Sequence, residues 1–238
     1  MDTRLPLYQR IRDDMLARIA RGEWRPDKPI PTESALGQEY DVAIGTVRKA
    51  VDTLVGDNLL YRSQGRGTFV RRPQFDGALF RFFRQVDAAG HRHVPTSRII
   101  RCELARPPET VRKTLGLDKR SDAVRLDRER IIEADNRIRE KIWLPAARFA
   151  ALVDTPVEDV GNLLYPFYEQ AFGEVVASAQ ETLTIEAAGA EDAACLGIEP
   201  GSPVVVIERV ARGYDGQPIE YRCSRGRADR FRYQIDIA

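Results

Sequence analysis

Arginine and glutamate side chains recur in segments of this chain whose patterns predict β-strands. Arg128 and Arg130 lie two residues apart within DAVRLDRERIIEA (122–134), so on a strand they point to the same face. A planar guanidinium donates two hydrogen bonds to one carboxylate or phosphate, whereas a carboxylate suits amines, imidazoles or sugar hydroxyls. Three glutamates fall in other predicted strands: Glu140, Glu181 and Glu220. Charged strand faces are usually solvated, so the residues alone leave a ligand pocket and surface ion pairs as alternatives.

A second segment with chemical potential is SQGRG (63–67), which separates the apolar stretches LLYR and TFV. Gly65 and Gly67 permit a tight hairpin turn and close backbone approach. Arg66 could meet phosphates or enter a DNA minor groove, and Thr68 with nearby backbone N–H groups could hold a phosphate. The segment lacks the rest of any dinucleotide-binding or P-loop motif, and it precedes a strand instead of a helix. Phosphate binding, a catalytic pocket and a plain solvent-exposed turn are the alternatives for this loop alone.

Composition places the chain among ordinary globular proteins with room for two domains. Its 238 residues are 43% hydrophobic and 31% charged, with a net charge of +1. Basic residues modestly outnumber acidic ones in residues 1–72 and are outnumbered in the remainder, as expected if the N-terminal part binds a polyanion. No apolar run approaches the roughly 20 residues that span a bilayer, and the N-terminus has no signal-peptide core. We therefore expect a cytoplasmic protein without membrane contact.

The sequence offers no pattern for a metal, a cofactor or a catalytic residue. Cys102, Cys195 and Cys223 are widely spaced, with no CxxC motif and no histidine cluster near them. This spacing predicts neither a disulfide framework nor a zinc site. No nucleophile and base stand out as a pair. We expect no cofactor.

Three helices and a hairpin are predicted in the first quarter of the chain. The first helix, 7–21, has an apolar face at helical spacing and ends at Gly22. Thr32 can cap the second, 33–40, and the third covers 44–56. The residues of the third helix that face away from its apolar stripe include Thr46, Arg48 and Lys49. Helices two and three are joined by a short turn, which is the layout of a winged helix-turn-helix with SQGRG as the wing tip.

These segments carry a family resemblance across residues 6–70. PLYQRIRDDMLARIARGEW, PIPTESALGQEY and TVRKAVDTLVGDNLLYRSQGRGTFV contain P-T-E, T-V-R and G-R-G-T-F-V at separations that resemble the GntR-type bacterial transcription regulators. The resemblance implies a homodimer that binds a two-fold-related operator in double-stranded DNA, with the third helix in the major groove. The implied DNA-binding residues are Thr32, Ser34, Ile44, Gly45, Thr46, Arg48, Lys49, Gly65, Arg66, Gly67 and Thr68.

Two departures from the family pattern remove cations. The family commonly has Ser-Arg where this chain has Ala43-Ile44, and often an arginine where it has Ser34. Base recognition then depends more on Thr46, Arg48 and Lys49, and Ile44 could contact a thymine methyl group. The alternative for Arg48 is a solvated position on the helix surface.

The remainder of the chain predicts an α+β domain with a mainly antiparallel sheet. Strands outnumber helices, and Asp215-Gly216 is a hairpin signal between the last two strands. Strands are predicted at 95–104, 122–134, 137–144 and 174–186 and in VVVIERVARGY and QPIEYRCSRGR, and helices at 145–153, 161–172 and AGAEDAACLG. A turn is predicted at Asp135-Asn136. The predicted organisation is 1–72 as the winged helix-turn-helix domain, 73–79 as a linker and 80–238 as the larger domain.

The larger domain also resembles a known family. LG-x5-P-V at 196–204, YDG-x-P-x-E at 214–220 and R-x-DRF at 227–231 resemble the UTRA effector-binding domain of HutC-type GntR regulators, over about 80–236. That domain is similar in fold to chorismate lyase. The resemblance implies a cavity for a small-molecule effector. Its implied lining residues are Arg128, Arg130, Glu140, Tyr165, Glu181, Glu220 and Arg225.

Departures here bear on the class of effector. The family often has a hydroxyl-rich turn that helps hold a phosphate where this chain has Arg81-Phe82-Phe83-Arg84, and a tyrosine where it has Arg225-Gly226. A small carboxylate-bearing metabolite therefore fits the arginines better than a sugar phosphate. His91 and His93 are expected in a loop away from the ligand.

The leading hypothesis is a ligand-responsive transcription regulator, most often a repressor in such families. The alternative is a lyase-like enzyme with an attached DNA-binding head, because fold does not determine function. A third interpretation, nonspecific coating of DNA, fits poorly with a net charge of only +1.

Overall fold

The structure is a computed structural model that describes residues 5–71, 95–133 and 136–232. The chain divides into two compact units, Met1–Pro73 with Gly213–Gly216, and Gln74–Arg212 with Gln217–Ala238. Several predictions lie outside the described residues: the linker at 73–79, residues 81–84, His91, His93 and the Asp135 half of the predicted turn. None of the described helices has the length and apolarity needed to cross a bilayer.

The first unit is a three-helix bundle with a short hairpin, as predicted. Its helices are α1 (Leu7–Ala20), α2 (Glu33–Glu39) and α3 (Ile44–Gly56). They bury apolar side chains that recur at helical spacing, because such positions share one face of a helix. The main core residues are Ile11, Met15, Ile19, Leu36, Val47, Ala50, Val51 and Leu54.

The hairpin is formed by β1 (Leu60–Ser63) and β2 (Gly67–Val70), which pair antiparallel. Gly67 has φ +115°, and a Cβ atom there would lie 3.2 Å from Cβ of Pro29. Gly65 has φ +72°. The two glycines therefore serve the turn, as the sequence indicated.

The second unit is built on a six-stranded antiparallel sheet in the order β3-β4-β5-β8-β7-β6, which confirms the α+β prediction. Its strands are β3 (Thr96–Ala105), β4 (Ala123–Glu133), β5 (Asn136–Pro145), β6 (Ser178–Ala187), β7 (Pro203–Arg212) and β8 (Pro218–Arg227). The β7–β8 hairpin turns at the predicted Asp215-Gly216, with Gly216 at φ +72°. The predicted strand at 174–186 begins later, at Ser178, because β7 ends at its pairing partner Arg212.

Helices cover both faces of this sheet. On one face lie α5 (Ala146–Phe149) with the 3-10 turn Ala150–Asp154, α6 (Val157–Val160) and α7 (Leu164–Phe172). Their side chains pack with Leu126, Ile142 and Leu144. On the other face lie α4 (Glu109–Thr114) and α8 (Ala190–Leu196), over separate clusters around Trp143 and Val206. The helix predicted at 161–172 begins only at Leu164 and ends at Gly173 in the left-handed conformation.

Candidate functional site

The first candidate site is the exposed surface of α3 and the hairpin. Ile44 is 45% exposed, Gly45, Arg48 and Lys49 are exposed, and Thr46 is half-buried. The side chains that fill the core lie on the opposite side of α3, so amphipathicity alone presents this set to solvent. Lys49 Nζ lies 4.1 Å from the centroid of the Tyr8 ring of α1, a cation–π contact that restricts its side chain.

The residues predicted around α2 are also on the surface. Thr32 is the N-cap of α2, and its hydroxyl accepts a hydrogen bond from Ala35 N at 3.2 Å. Ser34 is exposed beside it. Ala43, the N-cap of α3, makes no side-chain capping bond, as expected where a hydroxyl is missing.

The hairpin tip presents one cation. Arg66 is exposed between Gly65 and Gly67, and its Cζ lies 5.8 Å from the centroid of the Phe69 ring. Thr68 is half-buried, and its carbonyl accepts a hydrogen bond from Ile30 N at 2.8 Å. The tip can therefore offer Arg66 and nearby backbone N–H groups to a phosphate or a groove.

An ion-pair chain that sequence reasoning missed links α2, α3 and the hairpin. Glu33 accepts from Arg48 Nε at 2.8 Å and from Arg62 Nη2 at 2.8 Å. Arg62 also donates to Asp52 at 2.6 Å. These groups are far apart in sequence, so only the folded chain shows the pairing.

The second candidate site lies on the helix-covered sheet face that contains Leu126 and Ile142. Cross-strand pairing places Glu140 between Arg128 and Ser224, and places Arg222 between Ile142 and Arg209. Because directly paired residues share a face, these rows bring charged side chains of four strands together. The buried members are Arg128, Arg130, Glu140, Arg209, Glu220 and Arg222, each at most 6% exposed.

Glu220 is surrounded by donors. It accepts from Arg222 Nε at 3.0 Å and Nη2 at 2.7 Å, from the Tyr165 hydroxyl at 3.1 Å and from the Tyr168 hydroxyl at 2.8 Å. Arg222 also lies with its Cζ 5.4 Å from the Tyr165 ring centroid. Both oxygens of Glu220 therefore accept hydrogen bonds from protein side chains, as expected of a group that positions its neighbours.

Arg128 and Arg130 present donors to the same space. Arg128 Nε donates to Glu140 at 2.5 Å, and Arg130 Nη1 donates to the Asn162 carbonyl at 2.7 Å. Glu140 also accepts from Ser224 at 3.1 Å. Within the described residues, Arg128 Nη1 and Ser97 Oγ are buried without a hydrogen-bond partner. A buried donor left unsatisfied costs free energy, so a ligand with acceptor oxygens would be stabilised there.

The electrostatics of the cluster favour an anion. Four buried arginines face three carboxylates, of Glu140, Glu220 and the partly exposed Glu181, which binds Arg209 at 2.6 Å. Burial and the neighbouring cations lower the pKa of Arg130 to about 9. Burial opposes ionisation of Glu140, but attraction from Arg128, Arg222 and Arg130 outweighs it, so the pKa of Glu140 lies well below its usual range.

The structure assembles most of the predicted effector residues and separates one. Burial, and then the charge of Glu220, raises the pKa of Tyr165 to about 12, so its hydroxyl remains a donor to Glu220. Arg225 pairs with Arg139 and Val206 in the alternate register and lies on the other sheet face, where it binds Glu186 at 2.8 Å. Three members of the cluster were not among the predicted effector residues: Tyr168, Arg209 and Arg222. Arg222 stands two residues after Glu220, so strand alternation could have identified it.

This arrangement can bind and orient a small anion. Among the described residues, no group of three or more histidine, cysteine or acidic side chains could hold a metal ion. Cys102, Cys195 and Cys223 are free thiols. The pKa of each is raised, and burial is the main cause.

Comparison with known proteins matches both units. The family model for bacterial regulatory proteins of the gntR family matches residues 7–70, and the UTRA domain model matches residues 90–232. The chain is 29% identical to the HTH-type transcriptional repressor NagR of Bacillus subtilis, over 96% of this chain and 93% of that protein. It is 32% identical to the histidine utilization repressor of Pseudomonas aeruginosa, over 86% of this chain and 80% of that protein.

A solved structure agrees in fold. PhnF from Mycobacterium smegmatis superimposes with a TM-score of 0.55 at 24% identity, over 95% of this chain and 98% of that one. These relatives are regulators and not enzymes, so the lyase alternative is not retained. Since the UTRA model matches more than half of the chain, the gntR model matches residues 7–70 and the histidine utilization repressor is 32% identical over 86% of this chain, the chain belongs to the GntR family of bacterial transcription regulators, in the HutC-like group that carries a UTRA domain.

Proposed function

We propose that this regulator binds a two-fold-related operator as a homodimer and that a small carboxylate-bearing effector, held in the buried arginine cluster, changes its affinity for DNA. The observation that carries the proposal is the excess of buried guanidinium groups over carboxylates beside the unsatisfied Arg128 Nη1. One carboxylate would balance the charge and accept the available hydrogen bonds. Repression is the expected outcome, since the relatives named above are repressors.

On the DNA side, α3 would enter the major groove and the hairpin would contact the adjacent backbone or minor groove. The exposure of Arg48, Lys49 and Arg66 supports this assignment. Thr46 and Ile44 would contact base edges from the start of α3, and Thr32, Ser34, Gly45 and the 65–68 turn would contact phosphates. A regulator of operator DNA works where the DNA is, so we place it in the cytoplasm.

Within the effector site we assign direct contact to Arg128 and Arg130. The Ser97 hydroxyl would donate a hydrogen bond to the same carboxylate of the effector. Glu140 and Glu181 would hold Arg128 and Arg209, and Glu220 would hold Tyr165. Arg225 is left out of the pocket, because it lies on the opposite sheet face.

The homodimer is supported by the exposed edge of the sheet. β6 pairs with β7 on one side, and Leu183 and Ile185 are 45% and 67% exposed. Two antiparallel copies of β6 related by a two-fold axis at Thr184 would set Leu183 against Ile185 of the partner subunit, burying both without opposing like charges. Ile185→Lys should then give monomers in sedimentation analysis, while Thr182→Lys, on the other face of the same strand, should not. Dimers from both variants would place the interface elsewhere.

The effector is tested by a thermal-shift screen with histidine and other amino acids, small carboxylates and sugar phosphates. Histidine opens the panel because the Pseudomonas relative is named for histidine utilization. A ligand at about a hundred times its Kd stabilises the folded state by about 2.7 kcal/mol, which raises Tm by about 5–10 °C for a domain of this size. Hits should then change the affinity of the protein for duplex DNA.

Matched variants identify the pocket. Arg128→Ala should abolish the shift, and Arg125→Ala should retain it, because Arg125 lies on the same strand but on the opposite face, hydrogen-bonded to Asp127 at 2.6 Å. Equal shifts in both variants would show that the effector binds elsewhere. A screen in which only sugar phosphates bind would overturn the carboxylate assignment and leave the regulator intact.

A further inference from the structure

The ion-pair chain on the first unit assigns a specific role to one carboxylate. We propose that Glu33 is a positioning residue for operator recognition, which fixes the guanidinium of Arg48 so that its outer edge meets a base. The proposal rests on the DNA-binding function proposed above and adds a residue to it. Glu33 itself needs no contact with DNA, because it acts through Arg48.

The geometry of Arg48 is the first support. Arg48 uses Nε for Glu33, at 2.8 Å, and in the described part of the chain its two Nη groups donate to no protein acceptor. A bidentate contact to guanine needs two adjacent N–H donors directed at O6 and N7. Because Nε is bonded to Glu33, the Nη1–Nη2 edge remains available for that contact. The bond also restricts rotation of the Arg48 side chain, 61% of which is exposed to solvent.

The bracing of Glu33 is the second support. Its other oxygen accepts from Arg62 Nη2 at 2.8 Å, and Arg62 Nη1 is in turn held by Asp52 at 2.6 Å. Glu33 is the first residue of α2, Asp52 belongs to α3 and Arg62 belongs to β1. The carboxylate is therefore held from two elements besides its own, as a group must be if it is to orient another side chain.

Charge and exposure argue against a role in stability alone. The Glu33 side chain is 22% exposed and its partners more so, and ion pairs this close to solvent contribute little to folding. Burial opposes ionisation of Glu33, but the hydrogen bonds from Arg48 and Arg62 outweigh it and lower its pKa. A negative charge on a DNA-facing surface also weakens attraction to phosphates, so its presence needs a compensating benefit such as orientation.

The experiment compares specific with nonspecific binding. The probe is the consensus duplex that the wild-type protein selects from a randomised pool, set against a scrambled duplex at the same salt concentration. Glu33→Gln should bind scrambled DNA as well as or better than wild type, because a negative charge is lost, while its preference for the consensus falls about tenfold. Glu39→Gln is the matched control: the same substitution in the same helix, where Glu39 pairs with Arg18 at 2.7 Å, should leave the preference unchanged.

A double-mutant cycle tests the route through Arg48. In an Arg48→Ala background, Glu33→Gln should no longer lower the preference, because the group that it positions is gone. An undiminished effect in that background, or an unchanged preference in the single variant, would overturn the proposal. Equal thermal unfolding midpoints for Glu33→Gln and wild type are expected, and a lowered midpoint with lost preference in both backgrounds would assign Glu33 to folding instead. If the wild type selects no consensus at all, the proposed DNA recognition fails before Glu33 is in question.

Discussion

Replacing Glu220 with glutamine separates a positioning role from direct contact with the effector. Glu220 is fully buried and accepts four hydrogen bonds, two from Arg222 and one each from Tyr165 and Tyr168. The amide keeps the shape but loses the charge opposite Arg222, and its NH2 group turns one acceptor into a donor that faces other donors. Breaking one side of a buried ion pair typically costs about 3–5 kcal/mol. We expect a loss in this range, and a fall in Tm of about 10 °C.

Tryptophan fluorescence can follow unfolding of the second unit alone, because each unit contains one of the two tryptophans. Trp24 lies in the first unit and Trp143 in the second, so in a Trp24→Phe background fluorescence during urea unfolding reports on the second unit. Glu208→Gln is the control, because Glu208 is exposed on β7 and accepts from Tyr221; surface changes of this kind stay within about 0.5 kcal/mol.

The expected effect on effector binding is indirect. Without the carboxylate, Arg222 and Tyr165 lose the bonds that hold them in the cluster, so affinity should fall together with stability. A variant as stable as wild type that no longer binds effector would show that Glu220 contacts the ligand itself. A variant that matches wild type in both measurements would refute the inference that this network organises the pocket.

Three further changes test the remaining geometry. Arg48→Ala should weaken operator binding by about 1–3 kcal/mol in a titration at fixed salt, with effector affinity unchanged; equal operator affinity would remove Arg48 from base recognition. Arg66→Ala should weaken binding to all sequences and lower the slope of log affinity against log salt by about 1, whereas an unchanged slope means that Arg66 does not meet phosphate. Glu140→Gln should destabilise the second unit by about 3–5 kcal/mol at neutral pH. Because the native pKa of Glu140 is depressed, its contribution is fully present above the unfolded pKa of about 4.3 and is lost as pH falls through the native value. The difference from wild type should therefore shrink on acidification in urea titrations, and a constant difference would contradict the assignment.

The local sequence pattern was enough to predict several helices, turns and strand faces, because these depend on residues that are neighbours in sequence. The apolar stripe of α3 defined Ile44–Gly56 as a helix and left Arg48 and Lys49 on its outer surface. Glycines at 65 and 67 indicated the hairpin tip because the turn requires positive φ there. Alternation also predicted that Arg128 and Arg130 share a face. The same rule places Glu220 and Arg225, which are five residues apart, on opposite faces of their strand. The sequence therefore already argued against the prediction that both line the pocket.

Tertiary structure decided which of these side chains meet. Whether Arg128 faces Glu140 or solvent depends on the register between β4 and β5 and on the helices that cover that face. The pairing of Glu33 with Arg48 and Arg62 joins three elements across the surface of the first unit. Sequence determines the faces of each element through local periodicity, but strand register and helix packing are set by long-range burial, and those contacts convert scattered arginines and glutamates into a buried cluster with an excess of positive charge.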